Sequence, residues 1–151
     1  MKRKPHEIDA GILTVFSVSP DDQDHVVLGR ILGSSKRTHL KFEVETSATL
    51  ASALAVLEKS RIPIVLVERD FPQGSWRDLL DNAARLPAPP LLIVTSRLAD
   101  ERLWAEAINV GAYDVLSKPF DVQEVCRVVE GAWRHWNERR QNCSMSAAQC
   151  W

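Results

Sequence analysis

A single carboxylate sits at the exit of an apolar run. Pro63-Ile64-Val65-Leu66-Val67 shows no alternation, Glu68 follows at once, Asp70 comes two positions later, and Phe71, Pro72 and Gly74 turn the chain. Such a run predicts a short strand buried on both faces, as in the middle of a parallel sheet. The C-terminal ends of such strands are where open α/β sheets place ligands and reacting groups, so Glu68 is the first candidate site residue. Thr95 closes a second run of the same kind, Leu91-Leu92-Ile93-Val94. Other chemistries find less support. The three cysteines (Cys126, Cys143, Cys150) lack metal spacing, and the four histidines (His6, His25, His39, His135) are scattered. Neither a metal site nor a disulfide framework is expected from them. The glycines are dispersed, with no Gly-x-Gly-x-x-Gly and no phosphate loop, and no nucleophile–base pair stands out.

The bulk properties narrow the class. Charged residues make up 26 % of the chain and the net charge is −1, which gives no electrostatic reason to expect nucleic acid or an anionic membrane as partner. Lys2-Arg3-Lys4 reads as a solvated tail. No apolar run approaches the roughly 20 residues of a membrane span, and no apolar signal segment follows the basic start. A cytoplasmic location with reduced thiols is the expectation. The length suits one domain with a substantial core.

The elements that must position Glu68 and Thr95 follow one another in strict alternation. A first strand is predicted over residues 11–18. Ser19 then caps a helix with Pro20 at its first position and Asp21 and Asp22 at the positive end of its dipole. Val27, Leu28, Ile31 and Leu32 form that helix's buried stripe, and Gly33 stops it. Residues 40–46 alternate as a second strand nearer the sheet edge. Thr46 or Ser47 caps a second helix with Leu50, Ala53, Leu54 and Leu57 inward. The central strand leads to a third helix marked by Trp76, Leu79, Leu80 and Ala83, ended by Pro87-Ala88-Pro89-Pro90. The strand ending at Thr95 leads to a fourth helix with Leu103, Trp104, Ala107 and Ile108 apolar and Gly111 at its stop. Tyr113 to Leu116 is a short fifth strand, and Asp121 caps a last helix carrying Val122, Val125, Cys126, Val129, Ala132, Trp133 and Trp136. Cys126 is a core thiol on that face. Residues 1–10 and 138–151 are expected to be polar tails around one domain at 11–137. Alternation of this kind demands a parallel sheet with helices on both faces.

The end of the chain then carries a resemblance. Gly111-Ala112-Tyr113-Asp114-Val115-Leu116-Ser117-Lys118-Pro119-Phe120, a Gly-Ala followed by Lys-Pro-Phe after the fifth strand, is similar to response-regulator receiver domains, the CheY-like phosphoacceptor modules. Thr95, Pro72 and Gly74 agree with it in place, and the resemblance covers about residues 11–136. It implies a flavodoxin-like three-layer α/β/α sandwich with a five-stranded parallel sheet, order 2-1-3-4-5, and five helices. It also implies two-component or phosphorelay signalling. In this family an aspartate at the end of the third strand accepts a phosphoryl group, and two acids after the first strand bind Mg²⁺. A Thr or Ser after the fourth strand and a Lys after the fifth hold the phosphoryl oxygens. An anionic group in transfer needs such a convergence of hard cation, ammonium and hydroxyl.

On that pattern Thr95, Lys118 and Pro119 are present, Pro119 with an implied cis bond. Glu68 stands in the phosphoacceptor position. Ser17 and Val18 stand where the metal-binding acids would, and Val115 where a switching aromatic would, with Tyr113 two residues earlier. Without an acid pair there is little to hold Mg²⁺, and without the ion phosphoryl transfer is slow. The expectation is an atypical receiver with no cofactor and no enzymatic activity, acting as a phosphorylation-independent protein-interaction module. Glu68 is longer than Asp by one carbon, roughly 1.5 Å, and is expected to pair directly with Lys118 with Thr95 beside them; the plainer alternative is a solvated strand-end carboxylate. Trp133 and Trp136 share one helix face and with Tyr113 form a candidate surface for a histidine kinase, an output protein or a second copy, against the alternative of simple packing. The residues after the last helix are too few to fold as a DNA-binding domain, so the expectation is that any effect on transcription runs through a partner. Two other functions stand beside this one: a receiver still phosphorylated on a different acid such as Asp70, and a small flavodoxin-like enzyme or nucleotide-binding protein.

Overall fold

The central strand β3, Ile64–Glu68, lacks alternation because it serves two cores. Ile64 and Leu66 enter one, and Val65 and Val67 enter the other. Its neighbours β1 (Ile12–Val18) and β6 (Leu91–Ser96) divide their side chains in the same way, as the two-residue period of a strand requires. The computed structural model describes residues 12–34 and 41–145, with side chains through residue 141. With β2 (Lys41–Ser47) and β7 (Asp114–Ser117) these strands form a parallel sheet in the order β2-β1-β3-β6-β7. Counted over the five sheet strands, this is the flavodoxin-like order expected from the sequence. Helices α1 (Asp22–Gly33) and α5 (Val122–Met145) cover one face. Helices α2 (Leu50–Lys59), α3 (Trp76–Ala83) and α4 (Glu101–Val110) cover the other. No helix among the described residues is long and apolar enough to cross a membrane. The basic start, Gly11 and Leu40 lie outside the described residues.

Several boundaries differ from expectation for local reasons. The N-cap of α1 is Asp21, whose side chain accepts from the Gln23 amide, so Pro20 lies outside the helix and Ser19 is released for other contacts. Thr49, not Thr46 or Ser47, caps α2. Gly33 is still helical, and Ser34 closes α1. Gly111 ends α4 in the left-handed conformation at φ +114°, as its place in the sequence suggests. Where the sequence predicts only a turn, a short hairpin, β4 (Asp70–Phe71) with β5 (Gly74–Ser75), follows β3. Gly74 has φ +154°, and a Cβ there would lie 2.6 Å from Leu50 Cδ1 and 2.7 Å from Asp78 Oδ2, so the turn needs glycine.

The last two helices bring the largest corrections. Trp104 and Ile108 were expected on the inner stripe of α4, but they are 51 % and 37 % exposed while Leu103 and Ala107 are buried. Helix α5 does not fray at Asn137. It continues to Met145, because Glu138, Arg139, Arg140 and Gln141 are good helix formers with no Gly or Pro among them. Trp136, expected on an interaction surface, is fully buried in the core beneath α1 and α5.

Candidate functional site

The two-residue period brings Ser17, Glu68, Thr95 and Lys118 to one end of the sheet on the α1/α5 side. Each continues the alternation of residues that enter that core: Val15, Leu66, Ile93 and Leu116. Register places Glu68 beside Thr95. The Arg69 amide bonds the Thr95 carbonyl at 2.9 Å, and the Lys118 amide bonds the Ser96 carbonyl at 2.9 Å. The backbone at the start of the Lys118 loop is therefore tied to the central strands. The Lys118–Pro119 peptide is cis.

The Lys118 side chain reaches back over the strand ends to two carboxylates. Its Nζ donates to Glu68 Oε1 and, at 2.8 Å, to Asp24 Oδ2. All three side chains are largely withdrawn from solvent, at 8 % exposure for Lys118, 9 % for Asp24 and 14 % for Glu68. The Ser19 hydroxyl donates to the same Asp24 oxygen at 2.7 Å. The other Glu68 oxygen lies 3.4 Å from the Asp70 amide. Burial works against the charged form of Lys118. Its hydrogen bonds to Asp24 and Glu68, and their negative charges, outweigh that and hold its pKa above the ordinary value of 10.5. Asp24 was missed in the sequence, though a signal exists. It stands four residues before Leu28 and seven before Ile31, so it extends the buried stripe of α1 by one turn.

Ser17 and Val18 are buried at 1 % and 0 % exposure, and the ring of His25 is bound beside them. A carbonyl can only accept, so His25 Nε2 donates to the Ser19 carbonyl at 3.1 Å. On the neutral ring, Nδ1 then accepts from the Ser17 hydroxyl at 2.8 Å. His25 was noted in the sequence only as one of four scattered histidines. Among the described residues no group of three or more His, Cys, Asp and Glu side chains is arranged to hold a metal ion. The two nearby carboxylates are both turned to Lys118, Val18 offers no donor atom, and the Ser17 hydroxyl is engaged by His25. This donor set does not fit Mg²⁺, which demands several oxygen ligands in octahedral array.

The remaining sequence-predicted residues separate. Thr95 is buried beside Glu68, but the contacts to Lys118 come from Glu68 and Asp24. Asp70 is on the exposed hairpin, 3.8 Å from Arg69 Nε. β7 begins only at Asp114, so Tyr113 precedes the strand's alternation. It packs toward α5, with its ring 5.8 Å from that of His135, while Val115 packs toward α4. Trp133 is half-buried and stacked on Trp136 at 5.9 Å. Of the expected surface trio, Trp136 is therefore core, and Tyr113 and Trp133 are only partly accessible.

A flavodoxin-like sheet with Thr and Lys at the ends of its fourth and fifth strands defines a class of signalling modules. The profile of the response regulator receiver domain matches residues 22–130, and the chain belongs to that family. It is 33 % identical over 129 residues to the DNA-binding transcriptional regulator NtrC of Escherichia coli K12, covering 84 % of this chain and 26 % of that protein. It is 30 % identical over 128 residues to NtrC of Salmonella typhimurium, with the same coverage. The chain thus spans about a quarter of the length of these relatives. Among solved structures, the signal receiver domain of an HD domain-containing protein from Pseudomonas fluorescens superposes with a TM-score of 0.75 at 23 % identity, over 89 % of this chain and 96 % of that one. The beryllofluoride-activated NtrC4 receiver domain dimer gives 0.72 at 21 % identity, over 82 % and 98 %. At these identities the structural likeness is one of fold.

Proposed function

We propose that this receiver signals by binding a protein partner without being phosphorylated, an atypical member of its family. The observation that carries the reading is the capture of the Lys118 ammonium by Glu68 and Asp24. A phosphoryl group arriving at this site would need an acceptor carboxylate free to attack, a hard cation for its charge and an ammonium free to turn toward it. Here the carboxylate in the acceptor position and the ammonium already satisfy each other. The place of the acid pair is filled by Ser17 and Val18, with His25 against Ser17, so Mg²⁺ is not held and no cofactor is needed. The chain is not an enzyme in this reading.

The partner is a protein of the cytoplasmic two-component machinery: a kinase, an output protein or a second copy of the chain. The NtrC relatives, which are DNA-binding regulators, and the dimeric NtrC4 receiver support output control and self-association as the forms this takes. Incubation with acetyl phosphate and Mg²⁺, read by intact mass, tests the reading. No adduct is expected, and beryllofluoride is expected to leave tryptophan fluorescence unchanged. A stable phosphoryl adduct would overturn it, and mapping the adduct would show whether Asp70 has become the acceptor.

A further inference from the structure

Asp24 is the one charged residue in the buried set among the described residues, and capping does not explain it. Asp21 already caps α1, and Asp24 faces inward, with Oδ2 bonded to the Ser19 hydroxyl and to Lys118 Nζ. A buried carboxylate without a cation is costly, and Lys118 is the cation that this one has found.

We propose that Asp24 is a positioning residue that, with Glu68, forms a two-carboxylate clamp on the Lys118 ammonium which neither acid alone releases. The proposal rests on the reading of the site as closed to phosphoryl chemistry, and it names the device that closes it. The clamp joins three elements, α1 through Asp24, β3 through Glu68 and the β7–α5 connection through Lys118. Two carboxylates against one ammonium leave an excess negative charge at the strand ends, which opposes any incoming anion. Ser19 fixes the shared Asp24 oxygen. The serine thus acts on Lys118 through Asp24. A change at Glu68 alone leaves Lys118 held from the α1 side.

The test follows the lysine itself. Reductive methylation across an alkaline pH series, resolved by site with mass spectrometry, reads how firmly each ammonium keeps its proton and how accessible it is. In the wild-type chain Lys118 is expected to react far more slowly than the exposed Lys41 and Lys59. Glu68→Gln and Asp24→Asn are each expected to move the Lys118 pH profile downward in part. The double variant is expected to move it further and to raise the rate at fixed pH by at least about tenfold, the factor of one pKa unit. Asp24→Glu should restore most of the wild-type profile. Near-ultraviolet circular dichroism checks that each variant is folded. If Asp24→Asn does not fold, Ser19→Ala serves: a smaller shift in the same direction supports the clamp, and no shift contradicts it. The clamp is also contradicted if Glu68→Gln frees Lys118 as fully as the double variant does, or if Asp24→Asn leaves the Lys118 profile unchanged. These outcomes are independent of the phosphoryl adduct, so the clamp and the phosphorylation-free reading can fail separately.

Discussion

The two halves of the strand-end site solve the same problem differently. On the β6–β7 side, Lys118 is a full charge taken out of water and held by two carboxylates. On the β1 side, the Ser17 hydroxyl is hydrogen-bonded to His25 Nδ1, His25 Nε2 to the Ser19 carbonyl, with no carboxylate among them, and Val18 is simply core. An ion pair in a buried place stands or falls with its partners, because a lone buried charge is severely penalised. A neutral hydrogen bond contributes modestly and its loss is tolerable. The chemical sensitivity of this receiver is therefore concentrated at Lys118, while the β1 side is a packed wall.

That contrast can be broken most directly by removing the cation. Lys118→Met leaves Asp24 and Glu68 facing each other without a counter-charge and should cost about 3–5 kcal/mol in urea unfolding. Glu68→Gln removes one of two charged acceptors and should cost less, about 2 kcal/mol. The same ion pairs set a pH signature. The Lys118 pKa is raised in the folded chain above its ordinary 10.5, so its contribution to stability is fully present below that pH and is lost as pH rises through the folded value. Alkaline unfolding midpoints should therefore fall more steeply for the wild-type chain than for Lys118→Met. On the β1 side, Ser17→Ala should cost only about 1 kcal/mol and leave the Lys118 methylation profile where it is. A larger effect from Ser17 than from Glu68 would reverse the assignment of the two halves.

Much of this arrangement was legible in the sequence: the strand ends follow from patterns that physics constrains tightly, and the strand order from the resemblance to receiver domains. The short, β-branched, unalternating runs at 63–67 and 91–94 read as interior strands, and the structure sets Glu68 and Thr95 side by side in register. The Lys-Pro-Phe segment fixed the place of Lys118, and the reach of a glutamate suggested its contact with Glu68. Asp24 was not legible in the same way. An aspartate in a first helical turn already has a sufficient explanation in the helix dipole, and only its phase with Leu28 and Ile31 distinguishes Asp24 from Asp21 and Asp22. The ring of His25 gave no signal, since its partners are the Ser17 hydroxyl and the Ser19 carbonyl, at the end of β1 and just after it. The tryptophans misled for a related reason. Helical phase says which residues share a face but not which face meets the core, so Trp104, placed on an inner stripe, is exposed, and for Trp136 the simple-packing alternative to an interaction surface is the one the structure bears out.

The most direct test of the central claim is the intact mass of the full chain after acetyl phosphate and Mg²⁺. The account predicts an unchanged mass, because Glu68 and Lys118 are already paired with each other. A stable adduct would contradict it and would mean that the ion pairs at Lys118 open readily to an incoming phosphoryl group.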